Sequence, residues 1–221
     1  MSDGAPVADD DEQRHRAELV LRMRQSGIND ARVVRAMEMV PRRLFVPPHL
    51  ADQAYADRAL PVACGQTISQ PYVVAYMTQH LQVGDRHKVL EIGTGTGYQT
   101  AILAGLARRV YSVDRYRTLV AAAEGRLASL RISNVTLLTA DGYLGWPSQA
   151  PFDRILVTAA AEDVPPALCD QLADGGILIA PVGPIREQKL IRLRKTATGF
   201  ERDALLPVRF VPLVPGKAVA L

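Results

Sequence analysis

Apolar residues recur at three- and four-residue spacing in the first third of the chain and gather into short continuous blocks after it. The helical spacing starts at Arg14, with Leu19, Val20 and Met23 on one face, and Ser26-Gly27 ends it. Asn29 or Asp30 is placed to cap a second helix carrying Val33, Val34, Met37 and Val40, and Pro41 stops that helix. A proline-punctuated connector, 41–49, leads to a short predicted helix at 51–56, an extended stretch at 60–64 and a loop at 65–71. Val73, Val74, Met77 and Leu81 then predict a helix running up to Gly84.

Beyond Gly84 the pattern changes. Apolar blocks at 88–92, 109–113, 135–139, 152–158 and 177–180 read as strands, and 99–106, 119–130 and 166–172 as helices. Asp174-Gly175-Gly176 is expected to close the last helix, and 188–193 with 208–213 to form a final antiparallel pair. Repeated strand-then-helix units predict an α/β fold, a mostly parallel sheet with helices on both faces, here behind an N-terminal helical addition. Residues 1–13 are small, polar and acidic and are expected to be a disordered lead-in. Residues 14–221 form one domain, with helices and a loop over 14–84 and the sheet core over 85–221.

Composition narrows the function more than the fold. With 221 residues, 48% apolar and 22% charged, the chain is an ordinary globular one. A net charge of +3 lacks the concentrated basic footprint of a nucleic-acid binder. Cys64 and Cys169 form no C-x-x-C pair, and the four histidines show no ligand spacing, so no metal is expected. No apolar run nears the ~20 residues of a membrane span, and the start of the chain is acidic, which predicts a cytoplasmic protein. A monomer is expected.

The candidate chemistry lies at the strand ends. The first strand runs into Glu91-x-Gly93-Thr94-Gly95-x-Gly97-Tyr98, glycines that allow a sharp turn and close ligand approach before a helix N-terminus. A dinucleotide fingerprint would need glycine at 98, where Tyr98 stands. The acidic-x-G-x-G-x-G form is typical of S-adenosylmethionine-dependent methyltransferases. Asp114 ends the second strand 21 residues after Gly93, the ~20-residue offset at which a carboxylate takes ribose hydroxyls. It reads otherwise as a turn residue or a partner of Arg115 or Arg117. Asp141-Gly142 ends the third strand, as an adenine acceptor beside a small residue or as an ordinary turn. Thr158-Ala159-Ala160 ends the fourth, leaving room for a ligand or serving packing. The cofactor set is thus Glu91, Gly93, Thr94, Gly95, Gly97, Tyr98, Asp114, Arg115, Asp141, Gly142 and Thr158.

Several motifs together carry a resemblance. Val40-Pro-Arg-Arg-Leu-Phe-Val-Pro47, Gly65-Gln-Thr-Ile-Ser-Gln-Pro71, Val89 to Tyr98, Pro151 to Ala159, Gly175-Gly176, Pro181-Val-Gly183 and Phe210-Val-Pro-Leu213 run in family order. Over about residues 30–213 the chain closely resembles the protein-L-isoaspartate O-methyltransferase family, to which G-Q-T-I-S is highly specific. The resemblance implies a Rossmann-like methyltransferase fold with a modified C-terminal end. It also implies S-adenosyl-L-methionine as methyl donor, S-adenosyl-L-homocysteine as product, and isoaspartyl proteins and peptides as substrates. Asp114 stands where the family often has Glu.

A carboxylate acceptor, with an unperturbed pKa of ~4, is already an anion and needs no general base. Thr67 and Ser69 are the hydroxyls placed to donate to it, and by resemblance Ser69 is the main catalytic position. Gln70, Pro71, Val182, Gly183 and Val211 are expected to line the substrate side, the extended segments pairing with the peptide backbone. The alternating basic run from Arg186 to Lys195 is read as the wet face of an outer strand. The main alternative is a methyltransferase of the same fold with another carboxylate or small-molecule acceptor, and behind it a non-catalytic binding module.

Overall fold

The computed structural model describes residues 10–218. The first helix, α1 (Asp10–Gln25), starts earlier than the apolar spacing predicts. Residues 10–13 are therefore helical rather than disordered, while 1–9 lie outside the described residues. Acidic side chains suit a helix N-terminus, and Glu12 is tied down further. Its carboxylate accepts from Arg16 at 2.5 Å and from the Tyr55 hydroxyl at 2.7 Å. The second helix, α2 (Ala31–Met39), is capped by Asp30, whose Oδ1 accepts the Arg32 and Val33 amides. The short helix expected at 51–56 is instead a 3-10 turn over Pro48–Gln53.

The 60–71 segment is partly ordered as a ribbon. Strand β1 (Leu60–Pro61) pairs antiparallel with β2 (Thr67–Ile68), and α3 (Pro71–Leu81) follows at once. The core then alternates β3 (Lys88–Ile92), α4 (Tyr98–Ala104), β4 (Arg109–Asp114), α5 (Arg117–Ser129), β5 (Val135–Thr139), β6 (Phe152–Val157) and α6 (Pro166–Asp170). It closes with β7 (Leu172–Val182), β8 (Lys189–Thr196) and β9 (Gly199–Pro207). Seven strands form one sheet in the order β5-β4-β3-β6-β7-β8-β9, parallel through β7 and antiparallel beyond it. The order reverses between β3 and β6, so the crevice beyond their carboxyl ends is the natural ligand site.

Alternation along the strands sends side chains into two cores. Val89, Leu156, Ile177 and Ile179 face the helices α1 to α4, while Leu90, Ile92, Ile155, Val157 and Leu178 face α6 and its neighbours. All nine are essentially inaccessible, each contributing about 1.5–3 kcal/mol of apolar burial. Glu91 shares the Val89 side, which directs its carboxyl under α4 rather than into the crevice.

Two sequence expectations fail at the C-terminal end. Asp174-Gly175-Gly176 does not terminate a helix. It sits in a bulge within β7, where the register against β6 shifts and Gly175 has φ +71°. The closing pair is β8 with β9, joined by a turn at Ala197-Thr198, and not 188–193 with 208–213. β9 is exposed along most of its length and carries Glu201, Arg202 and Asp203, so it lacks an apolar signal. Residues 208–213 are mostly apolar, but Pro207 precedes them and Pro212 interrupts them, and they cross the strand ends instead. The basic run accordingly lies on the penultimate strand, with β9 outside it.

Candidate active site

The strand ends and the 65–71 loop enclose a cleft of about 370 Å³, a volume within the range of cofactor pockets. Of the residues expected from sequence, Thr67, Ser69, Gly93, Thr94, Gly95, Tyr98, Asp114, Arg115, Gly142, Thr158 and Val211 line it. One wall is the glycine loop, and the facing wall is the hydroxyl loop with Ile68, Val74 and Met77 at its base.

Asp114 is 7% exposed and is held by backbone donors. Its Oδ2 accepts the Gly95 amide at 2.8 Å and its Oδ1 accepts the Tyr116 amide at 2.9 Å. Burial raises its pKa, with these amide bonds opposing the shift. Each carboxylate oxygen retains acceptor capacity for a ribose hydroxyl. Beside it, the buried Nε of Arg115 has no partner. This donor-and-acceptor set, with the open face at Gly95, fits a nucleoside cofactor.

The glycines serve different ends. A Cβ on Gly93 would stand 2.2 Å from Thr158 Oγ1, whose hydroxyl donates to the carbonyls of Ile92 and Gly93. A Cβ on Gly95 would meet nothing within 4 Å. Gly97 is absent from the cleft wall, and a Cβ there would come 3.1 Å from Ala123 of α5. At Gly142 a Cβ would lie 2.6 Å from Ile92, so that glycine keeps a tight contact within the protein as well as lining the cleft.

Glu91 and Asp141 do not line the cleft. Glu91 is fully buried, and its Oε2 accepts from Ser112 at 2.6 Å and Thr100 at 2.5 Å. Ser112 is also bonded to Thr94 of the glycine loop at 2.7 Å, so Glu91 supports that loop from beneath. Burial pushes its carboxyl up to about 8, against the pull of the two hydroxyls. Asp141 accepts from the Tyr143 and Gly216 amides and thereby fixes the turn that presents Gly142.

Of the residues expected to meet the substrate, Ser69 and Thr67 face the cleft, whereas Gln70, Pro71, Val182 and Gly183 do not. The Gln70 amide turns outward to Asp57 Oδ2 at 2.9 Å, and Pro71 is the buried first residue of α3. Val211 reaches the cleft because its carbonyl accepts the Ala160 amide at 2.8 Å and Leu213 donates back to Ala160 at 2.7 Å. Gly183 donates to Ala161 at 2.9 Å, one step further out. The buried Gln188 side chain clasps both backbone groups of Phe210. Sequence reasoning missed Tyr116, Gln99 and Val214, which line the cleft as neighbours of motif residues with no motif of their own, and Leu213, which ends the 210–213 motif but was not expected at the site. Among the described residues no group of three or more His, Cys, Asp or Glu side chains is gathered to hold a metal, and no helix is long and apolar enough to cross a membrane.

Comparison with known proteins agrees with this geometry. The family profile described as protein-L-isoaspartate(D-aspartate) O-methyltransferase matches residues 13–218. The chain is 56% identical to a protein-L-isoaspartate O-methyltransferase of Parvibaculum lavamentivorans over 212 residues, 95% of this chain and 96% of that one. It is 58% identical to one of Ruegeria pomeroyi over 195 residues, 88% and 91% of the two chains. Among solved structures, a protein-L-isoaspartate O-methyltransferase superimposes with a TM-score of 0.81 at 28% identity, covering 89% of this chain and 65% of that one. A Plasmodium falciparum protein described by the same activity, in complex with S-adenosyl-L-homocysteine, superimposes with a TM-score of 0.80 at 25% identity, covering 90% and 98%. The chain belongs to the protein-L-isoaspartate(D-aspartate) O-methyltransferase family.

Proposed function

We propose that this cleft methylates the α-carboxyl of L-isoaspartyl residues in damaged proteins and peptides, with S-adenosyl-L-methionine as donor. The observation that carries the acceptor class is the composition of the wall. It holds Thr67, Ser69 and Asp114 but, among the described residues, no His, Lys, Cys or Glu. Asp114 takes two backbone amides, and its remaining acceptor capacity is assigned to the cofactor's ribose hydroxyls. With no side chain free to remove a proton, the acceptor must arrive deprotonated, as a carboxylate does at neutral pH.

The bound donor supplies an electrophilic methyl group on a sulfonium. Asp114, Gly95 and Thr94 hold the cofactor's end of the cleft. Thr67 and Ser69 donate hydrogen bonds to one oxygen of the incoming carboxylate, replacing part of its water shell and leaving the other oxygen free to attack. Ile68, Val74 and Met77 keep the floor of the cleft apolar, which strengthens those hydrogen bonds. The methyl ester then leaves, and its cyclisation to a succinimide needs no further help from the protein. Gln70, Val182, Gly183 and Val211 belong to the rim, where an extended, kinked peptide backbone is accommodated.

The substrates are proteins and peptides rather than nucleic acid, and the enzyme acts as a cytoplasmic monomer. A peptide whose isoaspartyl α-carboxyl is replaced by the carboxamide tests the acceptor chemistry. It should inhibit competitively without being methylated, and methylation of the amide would refute the reading.

A further inference from the structure

Arg42 occupies an environment that apolar side chains fill more cheaply. It follows α2 in a 3-10 turn over Arg42–Phe45 and is 0% exposed. None of the ion pairs among the described residues involves it. Burying an unpaired cation costs several kcal/mol, and a merely space-filling position would favour Leu or Met.

What the guanidinium does is specific. Its Nε donates to the Ala54 carbonyl at 2.8 Å and its Nη2 donates to the Ser69 carbonyl at 2.9 Å. Its Cζ lies over the ring of Tyr98, 4.7 Å from the centroid; Tyr98 is the first residue of α4 and part of the cleft wall. Phe45 meets that ring edge-on at 5.5 Å. One side chain therefore touches the residue that bears the acceptor-side hydroxyl and the residue that ends the glycine loop. The strand-order logic of the sheet does not link these two loops, since one precedes β3 and the other follows it.

We propose that Arg42 is a positioning residue that sets Ser69 in register with the glycine loop, and that delivering it is what the N-terminal helices contribute to the reaction. The inference rests on the function proposed above. A planar fork that donates two hydrogen bonds and lies over an aromatic ring fixes direction as well as distance, which a lysine ammonium on a flexible stem does not. Loss of the fork leaves the cofactor's own contacts at Asp114 and Gly95 intact and lets the Ser69 backbone drift. A misplacement of about 1 Å is enough to cost on the order of 10²-fold in rate.

The test compares wild type, Arg42→Lys, Arg42→Met and Arg42→Ala for turnover of an isoaspartyl peptide, S-adenosylhomocysteine affinity and amide exchange. Arg42→Lys should lower kcat at least ~30-fold while the peptide KM and the S-adenosylhomocysteine Kd each change less than ~3-fold. Amides of 66–70 should exchange at least ~10-fold faster, with those of α4 unchanged. In Arg42→Ala, millimolar N-ethylguanidinium should restore part of kcat where ethylammonium does not. The proposal is overturned by Arg42→Lys or Arg42→Met at wild-type kcat, by exchange at 66–70 that stays protected, or by a parallel loss of cofactor affinity. Absence of wild-type turnover on the peptide would refute the proposed function, and the exchange measurement would still decide the role of Arg42.

Discussion

The backbone amide of Gly95 donates to Asp114 Oδ2 across 2.8 Å, which ties the middle of the glycine loop to the end of the neighbouring strand. The carboxylate thus shapes the loop, and in the proposed function its remaining acceptors take the cofactor's ribose hydroxyls. Asp114→Ala should weaken S-adenosylhomocysteine binding about 10- to 100-fold, the loss of one or two hydrogen bonds to a charged group. Asp114→Glu should stay within ~10-fold of wild type, since a carboxylate remains. Calorimetric titration measures both. Unaltered affinity in Asp114→Ala would remove this residue from the cofactor site.

Two glycines of one loop should fail differently. Gly93 has φ +99° and no room for a Cβ beside Thr158, so Gly93→Ala should cost about 2–4 kcal/mol of stability. Gly95 has φ +54° and open space, so Gly95→Ala should cost only about 1 kcal/mol. Its methyl group would stand at the cleft wall and reduce cofactor affinity at least ~10-fold. Denaturant melts paired with binding titrations separate the two effects, and equal stability losses would contradict the assignment.

Glu91 makes stability depend on pH. Its folded pKa of about 8 lies above the ordinary 4.5, so the folded state holds a proton that the unfolded chain has released. That contribution is complete below about pH 4.5 and is lost as pH rises through about 8. Glu91→Gln removes the titration but keeps the shape. Relative to wild type, it should gain roughly 2 kcal/mol or more of unfolding free energy between pH 5 and pH 9. Parallel stability curves for the two proteins would show that this carboxyl does not titrate in that window.

Asp57 grips the hydroxyl loop from outside, accepting the Tyr72 amide on Oδ1 and the Gln70 amide on Oδ2, each at 2.9 Å. It caps α3 from a distance, since Gln70 makes no side-chain cap of its own. Asp57→Ala should cost about 1 kcal/mol of stability. It should lower kcat/KM for an isoaspartyl peptide about 10-fold, with S-adenosylhomocysteine affinity kept. Steady-state kinetics at wild-type level would mean that the loop is held without it.

Much of the cleft was legible because β3, β4 and β6 are buried strands whose apolar blocks end in polar or small residues, and parallel topology carries those ends to one edge. Glu91 was misplaced because a motif records neighbours in sequence, while alternation along the strand turned its carboxyl to the opposite side. Gln70 was misplaced for a similar reason, its partner Asp57 being 13 residues away in a segment with no motif. β9 went unread because an edge strand exposed on both faces has no period-two signal. The start of α1 was hidden because acidic, polar residues also compose disordered tails, and only the Glu12–Tyr55 contact distinguishes them. Arg42 stood in plain view within the Pro-Arg-Arg connector, but nothing in sequence says which of two arginines is buried.

In the proposed function the Thr67–Ser69 loop presents hydroxyls to the α-carboxyl of an isoaspartyl residue. This is tested most directly by labelled methyl transfer to two peptides of one sequence, one with L-isoaspartate and one with L-aspartate, using wild type and Ser69→Ala. Wild type should label only the isoaspartyl peptide to a substantial extent. Ser69→Ala should lose about 10²-fold in kcat/KM while still binding S-adenosylhomocysteine as wild type does. Equal labelling of the two peptides, or full turnover by Ser69→Ala, would contradict it.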